Sequence, residues 1–483
     1  MPPPLDSDAC YRALVARDAR FDGLFFVGVE TTGIYCRPVC SARTPGRARC
    51  AFFRTATQAE GAGFRSCFRC RPELAPGAAP VDAVSRVVAR AMARIDEGAL
   101  GEGGTVEGLA RELGVSGRHL RRAMQAELGV SPLALAETRR LALARQLIVD
   151  TALPLTEVAF ASGFGSVRRF NAAVRARFGR SPSTMRRAGR AEVPGGDLTV
   201  TLHYRAPYDW PAILAYLGSH AVPGVEAVKD GVYLRTAAVG ERRGWVTVSH
   251  DQGRRALRAT VSASLAGALM TVVARLRRLF DLDAQPATIA AHLERDPRLA
   301  VRVRARPGLR VAGAFDPFEA AARAVLGQQV SVAAARTLAG RLAGRFGEAL
   351  DTPHAELTHL HPTAAAIARQ PAGVLAARLG MPETRAATLR ALAAAVSTDD
   401  LALAEAETLD GLVARIAELP GVGPWTAHTV AMRAFGWPDA FPEGDLVLRK
   451  ALGGISAREA RAAAEPWRPW RAYGATHLWS QPT

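Results

Sequence analysis

Hydrophobic and polar positions divide the chain by their period. Between about residues 80 and 188 apolar residues recur at helical spacing, and the pattern repeats itself. LARELGVSGRHLRRAMQAELGVSP (109–132) is echoed about 50 residues later by VAFASGFGSVRRFNAAVRARFGRSP (158–182), which implies a duplicated helical unit. Beyond residue 197 the period shortens to alternation in LTVTLHYR, GVYLRTAAV and GWVTVSH, which predicts an antiparallel sheet with interspersed helices. From about residue 315 onward Ala/Leu-rich helical spacing returns. Two Pro/Gly/Ala stretches, RPELAPGAAP (71–80) and RAGRAEVPGGD (187–197), read as linkers. The expectation is a multidomain chain, mostly α with α+β parts, in four regions: 1–76, 80–188, 196–312 and 313–483.

Composition supports packed cores, with 49% hydrophobic and 22% charged residues in 483. The formal charge is +17, nearly all of it arginine, since the only lysines are Lys229 and Lys450. Genomic bias explains Arg over Lys but not the net excess, which points to a polyanionic partner, nucleic acid first. The N-terminal MPPPLDSDAC lacks a basic segment followed by an apolar one, so secretion is not expected. The longest uncharged apolar run, 259–274, is shorter than the roughly 20 residues a membrane span needs. A cytoplasmic protein without a membrane anchor is expected.

All six cysteines lie in the first 70 residues. Cys36 and Cys40 form one close pair and Cys67 and Cys70 another, with 26 residues between them. In a reducing compartment this spacing favours a four-thiolate Zn²⁺ site over disulfides. Cys10 and Cys50 fall outside the pairs and read as ordinary buried or free thiols. Thr32, Arg37, Arg43 and Arg65 set hydroxyl and guanidinium groups beside the pairs, as phosphate binding requires. TTGIYCRPVCSAR and GFRSCFRC resemble the methyl-acceptor domain of the bacterial Ada adaptive-response family. That resemblance implies that Cys36 takes the methyl group of a DNA methylphosphotriester, with Thr32, Arg43 and Arg65 toward the phosphates.

Each repeat sets a small-residue turn, LGVS (113–116) or GFGS (163–166), before a basic helix, which is helix-turn-helix organisation. Arg118, His119, Arg121 and Arg122 begin the first recognition helix, and Arg168, Arg169 and Asn171 the second. The paired units resemble the AraC-type regulator domain, which implies transcription activation on double-stranded DNA, with RNA polymerase as a partner.

In the last region LPGVGPWTA (419–427) spaces Gly421 and Gly423 for a tight hairpin whose backbone N–H groups can face a DNA phosphate. Downstream, FPEGD brings in Asp445. With APYDWPAIL, VGERRGWVTV, FDPFEAAARAVLGQQVSVAAA and WRPWRAYGATHLWS, the chain from about 197 resembles the AlkA-type 3-methyladenine glycosylase II, of the helix-hairpin-helix family. The resemblance implies an α+β subdomain before an all-α glycosylase domain, Asp445 as the catalytic carboxylate, and Trp425 and Trp479 as pocket aromatics. A tryptophan stands at 425, where relatives that also cut the backbone carry a lysine, so no lyase activity is expected. The sequence departs from the family at Gln329, where a leucine fills the gap left by the flipped base, and at Thr429, where a tyrosine lines the pocket. No cysteine follows Cys70, so the O6-methylguanine acceptor of Ada is not expected. Two other readings stay open: a DNA-binding regulator with an inactive glycosylase half, and a glycosylase whose zinc module is only structural.

Overall fold

A four-stranded sheet in the order β3-β1-β2-β4 organises the cysteine region, with β1 at Phe26–Val29, β2 at Ile34–Cys36, β3 at Cys50–Phe53 and β4 at Arg65–Ser66. The β1–β2 turn closes when the N–H groups of Thr32 and Gly33 both donate to the Val29 carbonyl, at 3.1 and 2.9 Å. β2 and β4 run parallel with Tyr35 opposite Ser66, so the next residues along the two strands are Cys36 and Cys67. The register therefore carries the first cysteine of each pair to the same end of the sheet. Alternation sorts the sheet's faces: Phe25 and Val27 pack with Cys10 and Cys50, whereas Phe26 and Tyr35 pack with Ala59. Cys10 and Cys50 are buried thiols of this core, as expected.

The computed structural model describes residues 5–76, 86–101, 103–188, 197–397 and 408–480. Most of the two expected linkers, and with them the boundaries between 76 and 80 and between 188 and 196, lie outside these residues. The described chain forms two compact units, Met1–Ala206 with Asp251–Ala274, and Pro207–His250 with Arg275–Thr483.

In the first unit the duplicate is built twice by the same local chemistry. Ser116 caps the helix Gly117–Leu128 by accepting from His119 N at 3.2 Å, and Ser166 caps Val167–Phe178 by accepting from Arg169 N at 3.3 Å. Both helices end at a glycine in the left-handed region, Gly129 and Gly179. Leu120, Met124 and Leu128 bury one face of the first, and Phe170, Val174 and Phe178 the matching face of the second. The basic residues are thereby left on the opposite faces.

The helix Pro132–Asp150 joins the two halves of the duplicate and binds the cysteine module through a line of polar contacts. Thr138 donates to Glu60 at 2.7 Å, and Arg71 makes a bidentate pair with Asp150 at 2.7 and 2.9 Å. Arg145, 1% exposed, donates to Ser66 Oγ at 2.8 Å, to Glu73 at 3.0 Å and to the carbonyl of Cys67 at 3.0 Å. Glu60 is also paired with Arg177 and accepts from the hydroxyl of Tyr35, the neighbour of Cys36, at 2.9 Å. The same unit holds the antiparallel strand pair Leu198–His203 and Ala256–Val261.

The second unit opens with the helix Trp210–His220 and an antiparallel meander, Glu226–Lys229, Val232–Val239 and Arg242–Asp251. Glu226 anchors it, accepting from Tyr233 Oη at 2.6 Å and from Arg323 at 2.9 Å. Burial works to raise this carboxyl, but Arg323 and Arg235 hold it below the usual range. The remainder is helical, ending in Arg471–Trp479. Tyr473 of that last helix donates to Asp281 at 2.8 Å, and desolvation pushes Asp281 up to about 6.

Two outcomes follow from these buried charges. Replacing Arg145 by methionine takes a donor from Ser66 Oγ and the Cys67 carbonyl and leaves the buried Glu73 with Arg71 as its guanidinium partner, which should cost about 3 kcal/mol, read as a lower melting temperature in scanning calorimetry. The raised carboxyl of Asp281 contributes stability below about pH 4 that is lost as pH rises through about 6. The difference in melting temperature between Asp281→Asn and the wild type should therefore move in the variant's favour across that window and level off above it.

Candidate functional site

The ligand sulfurs of Cys36, Cys40, Cys67 and Cys70 lie within 4.8 Å of one another. Four sulfurs this close cannot all be anions without a cation among them. Hydrogen bonding to Cys40 and Cys67 pushes the Cys36 thiol up, while the bond from Cys36 pulls Cys40 down to about 7. This donor set fits a tetrahedral Zn²⁺. A tight turn, Cys40 N to Arg37 O at 3.1 Å, folds the first pair together. Backbone N–H groups reach Cys70 Sγ from Arg37 and Cys67 Sγ from Arg69, each at 3.3 Å, and the Ala42 N–H reaches Cys40. Among the described residues none reaches Cys36 Sγ. A thiolate that accepts no N–H bond is the more nucleophilic one, so the four sulfurs are chemically unequal.

Of the polar residues expected near the pairs, Arg37 is a correction. It is 7% exposed, and its guanidinium donates to both carboxylate oxygens of Asp22 and to the Cys70 carbonyl at 3.3 Å. Buried in an ion pair, it supports the ligand loop and cannot face a phosphate. Thr32, Arg43 and Arg65 are exposed. Arg65 reaches the end of the second recognition helix, 3.6 Å from where a Cβ on Gly179 would lie. Arg118, His119, Arg121, Arg122, Arg168, Arg169 and Asn171 lie on the recognition helices away from their buried faces, with Arg121 paired to Glu107.

In the second unit the hairpin follows the helix Leu409–Ala417 and leads into Pro424–Arg433. Gly421 has φ +77°, and a Cβ there would lie 2.1 Å from Thr388 Oγ1, so the position admits only glycine. A Cβ at Gly423 would meet nothing within 4 Å, which leaves its backbone open to a close approach.

Asp445 caps the helix Leu446–Ala451, its Oδ1 accepting from Val447 N and Leu448 N at 3.0 Å each. The same oxygen accepts from Trp479 Nε1 at 3.0 Å, and Oδ2 accepts from Trp425 Nε1 at 3.0 Å. All four partners are N–H donors, the complement of an acceptor-only carboxylate. Both indoles thus flank Asp445 edge-on, a role the sequence did not indicate. Thr429 spends its hydroxyl on the Trp425 carbonyl at 2.7 Å. Gln329 is exposed at the turn between the helices Pro317–Leu326 and Val332–Phe346, with φ +53°.

Sequence reasoning missed three residues. Arg433 lies over the rings of Trp479 and Tyr216, at 5.4 and 4.5 Å. Glu60 gave no signal. Arg145 did give one, as a lone charge inside the apolar run LALARQLIV.

Comparison with known proteins matches residues 9–73 to the metal binding domain of Ada, 109–188 to a helix-turn-helix domain and 199–316 to the AlkA N-terminal domain. DNA-3-methyladenine glycosylase 2 of Escherichia coli is 38% identical over 58% of this chain and 96% of its own. The 3-methyladenine DNA glycosylase of Archaeoglobus fulgidus shares the fold, with a TM-score of 0.50 at 20% identity over 58% of this chain and 96% of its own. The probable bifunctional transcriptional activator/DNA repair enzyme AlkA of Mycobacterium tuberculosis is 42% identical over 98% of this chain and 96% of its own. No described helix is long and apolar enough to cross a membrane. With a four-cysteine cluster, paired recognition helices and a glycosylase fold continuous in one sequence, the chain belongs to the family of bifunctional transcriptional activator/DNA repair enzymes AlkA.

Proposed function

We propose that the chain removes alkylated bases such as 3-methyladenine from DNA and that Cys36 accepts methyl groups from DNA methylphosphotriesters, turning the protein into a transcription activator. The carrying observation for the first activity is the Asp445 carboxylate, fixed by two backbone and two indole N–H groups. An alkylated purine leaves with the electron pair of the glycosidic bond while water adds to C1′. Asp445 stabilises the cationic sugar or orients that water. The faces of Trp425 and Trp479 serve the cationic base by stacking. Gly421 and Gly423 present backbone N–H groups to a phosphate, Gln329 enters the gap left by the base, and Thr429 borders the pocket. No lysine stands at 425, so there is no Schiff base and no strand cleavage.

For methyl transfer the carrying observation is the absence, among the described residues, of any N–H···S bond to Cys36. Cys40, Cys67 and Cys70 complete the zinc ligands, and the metal, when bound, holds the sulfurs as thiolates at neutral pH. The Cys36 sulfur attacks the methyl carbon, the C–O bond breaks, and the phosphodiester departs with the electron pair. Methylation reduces the charge of the four-thiolate site from about −2 to about −1, which lowers its repulsion of DNA phosphates. Thr32, Arg43 and Arg65 grip phosphates beside the ester, and the recognition helices read double-stranded DNA. RNA polymerase is the partner in activation, and the chromosome places the protein in the cytoplasm.

Alkylated duplex DNA incubated with the wild type should release free 3-methyladenine, and Asp445→Asn should lower the rate at least roughly a hundredfold. Retained DNA binding with no release by either protein would favour the regulator without glycosylase activity. Cys36→Ser should abolish transfer of labelled methyl from methylated DNA to protein. If uptake persists, another sulfur is the acceptor.

A further inference from the structure

The turn that carries Gln329 is tied to the hairpin by its neighbour. Gln328 Nε2 donates to the carbonyl of Gly421 at 3.0 Å and to Thr426 Oγ1 at 3.0 Å. One amide nitrogen with two protons thus serves both the bend of the hairpin and the first turn of the helix that follows it. The carbonyl of Gln328 accepts from Arg385 at 2.7 Å. Arg385 belongs to the helix Glu383–Ser397, whose Thr388 is the residue on which Gly421 packs. Arg385 and Thr388 are three apart and share a face, so one helix supports both the turn and the hairpin.

Gln329 is held in the left-handed region, which a non-glycine residue keeps only when its surroundings over-determine it. Gln328 supplies that restraint, its side chain held by the hairpin and its carbonyl by Arg385. We propose, resting on the glycosylase reading above, that Gln328 is a positioning residue coupling the gap-filling turn to the phosphate-gripping hairpin. Grip on the backbone and entry of Gln329 into the base stack then occur in one fixed geometry. The coupling matters only where a base must be drawn out of a duplex. In a single strand there is no stacked partner to displace and no gap to fill.

The test compares the full-length protein with Gln328→Leu, which keeps the bulk and removes both donors. The substrates are dimethyl sulfate-treated DNA as duplex and as separated strands, with release of 3-methyladenine as the readout. The expected result is a fall of about tenfold or more in kcat/KM on duplex and a change of less than about twofold on single strands. Thr426→Val removes one acceptor and should give a smaller loss with the same selectivity. A 2-aminopurine placed beside the lesion should show less fluorescence gain on binding of Gln328→Leu, because the base step opens less. An equal loss on both substrates would mark Gln328 as merely structural, and an unchanged duplex rate would remove it from the process; either overturns the proposal. A wild type inactive on both substrates would instead overturn the glycosylase reading on which it rests.

Discussion

The proposed chemistry rests on two anionic groups in a protein that binds a polyanion. The protein carries a net charge of +17, yet the chemistry proposed for it is concentrated in four clustered sulfurs and one carboxylate. Each of these is repelled by DNA phosphates unless its charge is offset locally. N–H donors are the common solution. They fix Asp445 from four directions and reach Cys40, Cys67 and Cys70, so that these groups are held in place by N–H donors.

In the first unit the same constraint explains the buried polar contacts behind the sulfurs. Arg37 holds the carbonyl of Cys70 and Arg145 that of Cys67, the first paired with Asp22 and the second with Glu73, which Arg71 shares. The ligand loops are thereby fixed from the protein side. Since Arg145 comes from the helix that joins the two recognition units, and Glu60 links Tyr35 to Thr138 and Arg177, the sensor and the DNA reader are parts of one packed body. Cys36 therefore lies next to residues that also locate the recognition helices.

In the second unit, position is set by helix ends and indoles. Asp445 is at once a helix cap and the acceptor for two tryptophans, so its orientation is determined by a short helix and by the last helix together. Tyr473 fastens that last helix to Asp281, and Arg433 lies against the ring of Trp479. The site is thus fixed by contacts among residues far apart in sequence.

Sequence by itself determined the chemistry and its order along the chain. The two cysteine pairs, the duplicated turn-and-helix pattern, the strand alternation after residue 197 and the hairpin before Asp445 were all legible, because each is a local rule of spacing or period. Four strands in the cysteine region were not, since they are two to four residues long and take their pairing from the sheet. Only the tertiary structure decided which arginines face outward. Arg37 and Arg65 look alike in sequence, but one is buried against Asp22 and the other is exposed, because the partner of a charge is chosen by three-dimensional packing. It also decided that Trp425 and Trp479 bond the carboxylate and that Gln328 ties a turn to a hairpin 93 residues away, contacts for which no periodicity exists to be read.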